Sequence, residues 1–309
     1  MLVTKGLCKN YGRTPALRNL DLEIRPGEVV ALLGANGAGK TTTIKLLLGL
    51  IRPSAGEAKV CGFAAGHMQV RGRIGYSPES RRFHEFLTIA ETLCYYAELA
   101  RIERSRRPKE IERAMNLTGL MELRDRKAGK LSKGEAQRLS VAQSLLGDPP
   151  ILLLDEPTSG LDPVGRIAMR KLLERCGEEG KTVLLNSHIL SDVESICGRV
   201  LILRKGVLAW QGQISEVVTA RQSVEVHAEV LTAEAEASLH ADGFTVLRRN
   251  SHWEVSPCPA SRVPRVAELV VAAGGRIQAL IPRGNSLEDL FVELSGGEDN
   301  AGHYSTDRA

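Results

Sequence analysis

The sequence lacks any run of apolar residues long enough to cross a bilayer. Its longest apolar segments, residues 44–51 and 151–154, fall well short of the roughly 18–20 residues that a membrane helix needs. No secretory signal opens the chain, because its first five residues lead straight into mixed polar sequence. We therefore expect a peripheral protein on the cytoplasmic face of a membrane; if it takes part in transport, another chain supplies the path.

Cysteine and histidine are sparse and scattered as well. The six cysteines contain no C-x-x-C pair, and dispersed single cysteines indicate small buried residues in a reducing compartment, not a disulfide framework. The seven histidines do not cluster with them along the chain. A metal site built from such protein ligands is therefore not expected.

A concentrated basic stripe is also missing. The formal net charge is +4, which suits a protein near anionic lipids or nucleotides without identifying either. The densest basic stretch, Arg101 to Lys109, is interrupted by Glu103, so a solvated helix face is favoured over a nucleic-acid-binding surface. We expect no nucleic-acid partner.

The chain divides into two regions of different character. In residues 1–215, short apolar runs alternate with helical stretches, which predicts a parallel sheet covered on both faces by helices. The predicted strands are 28–33, 151–154 and 182–185, and a helix is predicted at 40–50. Residues 88–147 interrupt this rhythm with a mainly helical section.

Residues 216–295 predict a smaller α+β domain. The expected elements are a strand at 223–230, a helix at 232–241, strands at 243–249 and 253–256 joined by Asn250-Ser251, a helix at 263–273 and a strand at 276–282. This βαββαβ order matches a ferredoxin-like fold. A helix with Ser286 as its N-cap follows, and the small polar residues of 296–309 predict a disordered tail.

A glycine-rich loop lies between the first buried strand and its helix. Its residues are Gly34-Ala35-Asn36-Gly37-Ala38-Gly39-Lys40-Thr41, which fit the phosphate-loop pattern G-x-x-x-x-G-K-[ST]. Glycines let backbone N–H groups turn around phosphates, and the helix N-terminus adds positive potential. Lys40 would reach the β- and γ-phosphates and the Thr41 hydroxyl would ligate Mg²⁺; the adjacent Thr42 is included in the nucleotide site. A chance glycine-rich turn is the alternative, which the strand–loop–helix context disfavours.

Two adjacent carboxylates follow the apolar strand 151–154. Asp155 at the end of a buried strand is placed to hold Mg²⁺, and Glu156 is placed to act as a general base on a water molecule near the γ-phosphate. A strand ending in Asp-Glu-Pro is on its own a common turn. In one domain with a phosphate loop, it predicts the metal and base site of an ATPase.

These motifs together resemble an ABC ATPase, a P-loop NTPase fold with a helical subdomain. Leu131-Ser132-Lys133-Gly134-Glu135 resembles the family's LSGGQ signature, whose serine and following N–H groups bind the γ-phosphate held by the opposite subunit. Ser132 and Gly134 match, whereas Lys133 and Glu135 depart from Gly and Gln, and Glu135 puts the affinity for the partner's phosphate in doubt. Ser132 and Glu135 also fit a helix capping box, and both interpretations can hold together.

Further matches follow in family order. Asp162, in Ser159-Gly160-Leu161-Asp162, matches the D-loop that crosses the dimer interface, and His188 matches the switch histidine at the γ-phosphate. Tyr11 matches the aromatic residue that stacks on adenine, with an edge-strand core residue as the alternative. Glu79 stands where the family usually has the Q-loop glutamine; it can coordinate Mg²⁺ or its water, but its charge disfavours the γ-phosphate.

The resemblance implies a separate transporter subunit. Lys40 and Ser132 are too close in sequence to enclose the long coiled coil of chromosome-maintenance members. The single cassette disfavours the translation-associated members, which carry two, and the lack of apolar spans disfavours exporters that fuse the ATPase to a membrane domain. The C-terminal βαββαβ unit resembles that of ABC-2 exporter ATPases. This resemblance implies ATP and Mg²⁺ as cofactors, and it implies a second copy of the chain and a separate membrane permease as partners. The family's groove for a permease coupling helix would lie in residues 81–96, although Tyr95 and Tyr96 are equally compatible with ordinary helical core. A soluble ABC ATPase regulating another machine, or an importer ATPase with a sensory C-terminal domain, is the alternative.

Overall fold

The structure is a computed structural model that describes residues 1–80, 82–220, 223–228, 231–249, 252–283 and 287–295. It separates into two compact units, of which Met1–Gly212 forms the first and the second begins at Gln213. The division lies three residues before the boundary expected from the sequence. Ser286, the Asn250-Ser251 link and the predicted disordered tail lie outside the described residues.

The first unit is built on a six-stranded sheet with the order β10-β9-β3-β8-β7-β6. Strands β3, β6, β7, β8 and β9 are parallel neighbours. The apolar runs predict β3, β7 and β8, and every residue of β7 and β8 is buried. The strands are β3 (Val29–Leu33), β6 (Ile74–Ser77), β7 (Ile151–Asp155), β8 (Thr182–Asn186), β9 (Arg199–Arg204) and β10 (Val207–Gln213).

Four helices accompany this sheet. They are α1 (Lys40–Leu47), α2 (Met68–Arg71), α6 (Pro163–Glu178) and α7 (Leu190–Ile196). The prediction that α1 extends to Leu50 was wrong. Gly49 adopts a φ of 68°, a left-handed conformation that ends helices, and a Cβ there would lie 2.2 Å from the Gly66 Cα.

A second, antiparallel sheet in this unit is a feature that the sequence analysis missed. It has the order β2-β1-β4-β5, from β1 (Leu2–Tyr11), β2 (Thr14–Ile24), β4 (Ala55–Val60) and β5 (Phe63–Ala64). The pairing of β1 with β2 shifts register between Thr4 and Leu7, and again between Leu7 and Lys9. Such irregularities break the period-2 alternation by which half-buried strands are found in a sequence.

The helical section contains α3 (Ile89–Leu99), α4 (Arg107–Leu117) and α5 (Lys133–Ser144), with short 3-10 turns between α4 and α5. These helices have a core of their own, which includes Ile89, Leu93, Met115 and Leu139. Helix α5, which follows the signature serine, therefore belongs to a separately packed subdomain of the first unit.

The start of β6 packs closely against helix α5. A Cβ at Gly75 would lie 1.9 Å from the Ser144 carbonyl oxygen, so only glycine permits this approach. Two residues later, the buried hydroxyls of Ser77 and Ser140 are 2.8 Å apart and hydrogen-bonded. Glu79 follows β6 directly, so the segment that carries Glu79 is packed against the signature helix.

The second unit has the predicted βαββαβ order. Its antiparallel sheet runs β12-β13-β11-β14, the ferredoxin-like arrangement, and the buried side chains of Val224, Val226, Val255, Val266 and Val270 belong to its core. The elements are α8 (Ile214–Ala220), β11 (Ser223–Ala228), α9 (Ala233–Ala241), β12 (Thr245–Arg248), β13 (Trp253–Ser256), α10 (Val263–Ala272), β14 (Ile277–Arg283) and α11 (Leu287–Ser295). Over the described parts of the chain, no helix is both long and apolar enough to span a membrane.

The contact between β6 and α5 yields a stability prediction. Gly75→Ala forces the strand and helix apart because the new methyl group overlaps the Ser144 carbonyl oxygen. We expect a loss of about 1–3 kcal/mol in the free energy of unfolding, as for other overpacked sites, measured by urea titration of the first unit's helical circular dichroism. Gly72→Ala is the matched control, because a Cβ there meets no atom within 4 Å; equal stability of the two variants would contradict the account.

Candidate active site

The glycine-rich loop connects β3 to α1 and ends at the N-terminus of that helix. Gly39, the N-cap residue, has a φ of 109°, and a Cβ there would lie 2.8 Å from the Ala16 carbonyl oxygen. At Gly34 the φ is 152° and a Cβ would lie 2.5 Å from the Leu203 carbonyl oxygen. Both glycines are therefore required by conformation and by space, and the loop forms the anion-binding arrangement expected from the motif.

Lys40 folds back over this loop. Its Nζ donates hydrogen bonds to the carbonyl oxygens of Gly34, at 2.6 Å, and Ala35, at 3.1 Å. Burial lowers the pKa of Lys40, while the charges of Glu156, Asp155 and Glu79 oppose this shift. The ammonium group is thus held at the loop, and the nearby carboxylates of Glu156, Asp155 and Glu79 stabilise its charge.

Asp155 ends β7 and is oriented by the neighbouring strand. It is almost fully buried, and Asn186 at the end of β8 donates a hydrogen bond from Nδ2 to Asp155 Oδ1 over 2.8 Å. Burial raises the pKa of Asp155; Asn186 counteracts this, and Glu79 adds to it. The buried carboxylate is therefore short of compensating positive charge.

Glu156 is held in an unusual conformation beside it. Its φ is +54°, a left-handed geometry that costs a non-glycine residue on the order of 1–3 kcal/mol and is concentrated at functional sites. The Glu156 N–H donates to the Asn186 carbonyl oxygen at 3.1 Å. Its Oε2 lies 2.7 Å from His188 Nδ1 and also accepts a 3.4 Å bond from the His188 N–H.

The protonation of Glu156 follows from this environment. Burial raises the pKa of Glu156, and the nearby His188 partly offsets the effect. A carboxylate with a raised pKa is a better proton acceptor than an ordinary one, provided that the solution pH keeps it ionised. The geometry is therefore compatible with the predicted role of general base.

Most of the predicted site residues line one cleft of about 300 Å³. Asn36, Gly37, Gly39, Lys40, Thr41, Thr42, Glu79, Asp155 and Glu156 line it together with Ala16. The remaining loop residues Gly34, Ala35 and Ala38 lie in the same β3–α1 connection, and His188 joins through its bond to Glu156. A larger groove of about 530 Å³ lies elsewhere on the first unit, but it contains neither the glycine-rich loop nor the paired carboxylates.

The oxygen atoms of this cleft fit a magnesium ion. The Thr41 hydroxyl and the carboxylates of Asp155 and Glu79 face the same space, and hard oxygen donors of this kind are those that Mg²⁺ prefers. Burial raises the pKa of Asp155, so a cation bound beside this carboxylate would offset the cost of burying its charge. The donor set is thus suited to the predicted metal.

The predicted signature residues lie outside the set that lines the cleft. Ser132 caps α5 in a reciprocal capping box with Glu135, and a Cβ at Gly134 would lie 3.1 Å from the Gly160 carbonyl oxygen. Asp162 caps α6 by accepting a 2.7 Å hydrogen bond from the Gly165 N–H. The signature and the D-loop are therefore packed against each other in one chain.

Glu135 is less disruptive than the sequence suggested. Its carboxylate accepts hydrogen bonds from the Ser132 N–H, at 2.8 Å, and from Arg126, at 2.9 Å. The bond from Ser132 and the charge of Arg126 hold the pKa of Glu135 below its usual range. Its negative charge is thus balanced within the chain, so that it need not repel a phosphate at the signature.

Tyr11 ends β1 with half of its surface exposed. This exposure excludes the core-residue alternative, and the Lys9 ammonium lies 5.3 Å from the ring centroid. Tyr11 is absent from the set that lines the cleft, so its role at adenine stays a prediction.

Two contributors to the site were missed by the sequence analysis. Asn186 contacts both Asp155 and Glu156, and Ala16 lines the cleft from β2. The position of Asn186 at the end of the strand before His188 was a usable signal, because the carboxyl ends of adjacent parallel strands meet at one edge of the sheet. Ala16 carried no such signal.

The burial of Glu156 predicts a pH-dependent gain in stability for Glu156→Gln. Because the folded state raises the pKa of Glu156, the stability that its proton contributes is present below the ordinary value of 4.5 and is lost as the pH rises through the raised value. Glutamine mimics the protonated acid, so we expect the variant to be more stable than the wild type at neutral pH, with a smaller difference below pH 4.5.

Thermal and urea unfolding of the nucleotide-free chain across this pH range measure the effect. Glu178→Gln, on the exposed side of α6, is the control and should change stability by no more than about 0.5 kcal/mol at any pH. A destabilised Glu156→Gln variant at neutral pH would contradict the burial argument.

Comparison with known proteins agrees with this geometry. The family described as ABC transporter matches residues 17–159. The bacitracin transport ATP-binding protein BcrA of Bacillus licheniformis is 32% identical over 96% of this chain and 98% of its own length. The Nod factor export ATP-binding protein I of Cupriavidus metallidurans is 30% identical over 96% and 98%, respectively.

Solved structures show the same cassette. A dimeric, post-hydrolysis structure of the ATP-binding cassette MJ0796 with ADP and Pi superimposes with a TM-score of 0.64 at 25% identity, covering 69% of this chain and 98% of that one. Relatives of at least 30% identity over almost their full lengths and a matching cassette fold establish the family. The chain is an ABC ATPase and belongs to the ATP-binding proteins of ABC transporters.

Proposed function

We propose that this chain hydrolyses ATP for an ABC-2-type exporter, driving a separate membrane permease by ATP-dependent closure of a dimer. The observation that carries the proposal is the constrained Glu156 carboxylate, which lies at the loop-bound Lys40 and is bonded to His188 over 2.7 Å. The transport and export names of BcrA and the Nod factor protein, both matched over almost their full lengths, support the direction of transport.

In the proposed reaction, the loop N–H groups and Lys40 bind the phosphates of ATP, and Glu156 takes a proton from the attacking water. His188 holds the Glu156 carboxylate in position and lies at the γ-phosphate. Thr41, Asp155 and Glu79 would hold Mg²⁺, which would supply positive charge to the phosphates of ATP. Asn186 orients Asp155 through its side chain and Glu156 through its carbonyl oxygen.

A second copy completes each site in this proposal. Ser132 and Gly134 lie next to the D-loop and outside the lining of the cleft that contains Lys40. A head-to-tail dimer would bring Ser132 of one copy to the γ-phosphate bound by Lys40 of the other, with Asp162 near the interface. The dimeric state of the MJ0796 cassette supports this assembly.

A permease-docking surface is proposed on the aromatic cluster before and within α3. Phe86 and Tyr95 are exposed by 69% and 41%, and the His84 ring contacts both of them. Tyr96, in contrast, is partly buried against the helical core with Phe83. The packing of Tyr96 favours its interpretation as helical core, whereas the exposure of Tyr95 supports a docking role.

The composite site can be tested by ATP-dependent dimerisation. Glu156→Gln should bind ATP without hydrolysing it and should become a stable dimer in size-exclusion chromatography with light scattering. Adding Ser132→Arg should abolish the dimer yet preserve ATP binding, because the phosphate loop is intact. A double variant that still dimerises with ATP would contradict the position of Ser132 across the interface.

The transport role can be tested by purification from the native membrane. We expect a polytopic membrane protein to co-purify with the wild-type chain, and the variant Phe86→Ala/Tyr95→Ala to lose it while keeping its ATPase activity. Leu50→Ala, which removes a side chain that is 63% exposed elsewhere in the first unit, is the control. A chain that purifies without any membrane protein would favour a soluble regulatory ATPase instead.

A further inference from the structure

The second unit brings together two histidines and a glutamate that are distant in sequence. Glu225 and His227 lie on β11, and His252 lies just before β13. One potential metal-ligating atom from each residue lies within 4.8 Å of those of the other two. The His227 and His252 rings are stacked with their centroids 5.1 Å apart.

The strand register explains this convergence. On β11, Val224 and Val226 face the core, so the alternate residues Glu225 and His227 lie on the opposite face of the sheet. The antiparallel pairs Glu225↔Glu254 and Val226↔Trp253 place position 252 opposite position 227. A 2.8 Å bond from the Arg249 N–H to the His252 carbonyl oxygen fixes the backbone of His252 at this point.

In both histidines, Nε2 lies near the carboxylate of Glu225. His227 Nε2 lies 3.4 Å from Glu225 Oε2, and His252 Nε2 lies 3.7 Å from Glu225 Oε1. His227 Nε2 and Glu225 Oε2 are at the limit of a hydrogen bond, and both separations exceed the roughly 2.7–2.9 Å of a charge-assisted hydrogen bond. The three candidate ligand atoms lie within 4.8 Å of one another.

The charges of the neighbouring residues support the same interpretation. Glu254, directly across from Glu225 on β13, accepts two hydrogen bonds from Arg249, at 2.8 and 3.0 Å. Arg249 therefore compensates Glu254, and Glu225 is the carboxylate that faces the histidines. Metal binding requires the imidazole in its neutral form, so the two histidines and the Glu225 carboxylate would together supply a net charge of −1 to a bound divalent cation.

We propose that Glu225, His227 and His252 form a binding site for a divalent transition metal of the zinc class. Imidazole nitrogen with one carboxylate is a donor set typical of Zn²⁺ and of Co²⁺ or Ni²⁺, whereas Mg²⁺ and Ca²⁺ prefer oxygen alone. Three protein ligands leave the fourth tetrahedral position to water or another donor. None of these three residues belongs to the predicted nucleotide site.

The sequence could not reveal this site. His227 and His252 have no zinc-ligand spacing, and the expectation that the histidines form no metal cluster rested on their separation along the chain. The antiparallel pairing of β11 with β13 places them on one face. Their side chains are 30% and 22% exposed, so that an ion can enter from solvent.

The site is tested with the full chain, free of nucleotide and without a histidine tag, in saturating Mg²⁺ that occupies the oxygen site at Asp155. Isothermal titration with ZnCl₂ should show one site per chain, and CoCl₂ should give visible absorption bands typical of nitrogen and oxygen ligands. Loss of a residue that only supports a metal ligand weakens metal binding by roughly 10–100-fold. Because His227 and His252 are proposed as ligands, His227→Ala and His252→Ala should each weaken binding by more than this.

Glu225→Gln, which keeps the size of the side chain, should weaken binding while the circular dichroism spectrum stays unchanged. His240→Ala is the matched control, because His240 lies in the same unit and its Nδ1 is 3.0 Å from the Phe244 carbonyl oxygen. No binding by the wild-type chain would overturn the proposal. Equal binding by the wild type and the three variants, or a thiolate-to-cobalt absorption band, would also overturn it.

Discussion

The active-site cleft depends on the contact between the carboxyl ends of strands β7 and β8. Asn186 binds the Asp155 side chain and the Glu156 backbone, and His188 binds the Glu156 carboxylate. Two consecutive acids are thereby directed to different partners. If β8 shifted along β7, both carboxylates would lose their orientation toward the glycine-rich loop at the end of β3, the next strand in the sheet.

This arrangement lowers the stability of the nucleotide-free chain. Burial raises the pKa of both Asp155 and Glu156, and Glu156 also occupies a left-handed backbone conformation. Both costs fall on the residues that are proposed to act on ATP and Mg²⁺. A bound Mg²⁺ would relieve the electrostatic part by placing positive charge beside these carboxylates, which gives a physical reason for the coupling of metal and nucleotide binding to a change of state.

The sequence predicted the parallel sheet, the βαββαβ unit and most of the cleft because these features depend on local patterns. A few consecutive residues are enough to recognise the apolar runs of β7 and β8 and the glycine pattern of the phosphate loop. The antiparallel sheet was missed because irregular pairing of β1 disrupts its alternation. The roles of Asn186 and Gly75, and the convergence of His227 with His252, depend on contacts between distant segments that no short pattern encodes.

The most direct test of the account is the single-turnover rate of ATP hydrolysis by Glu156→Gln, measured with ATP bound to excess protein. If Glu156 is the general base, the rate should fall by at least about 10²-fold, and the affinity for ATP should stay close to that of the wild type because Lys40 and the loop are unchanged. A rate near that of the wild type would contradict the central claim that the Glu156 carboxylate held by His188 performs the chemistry.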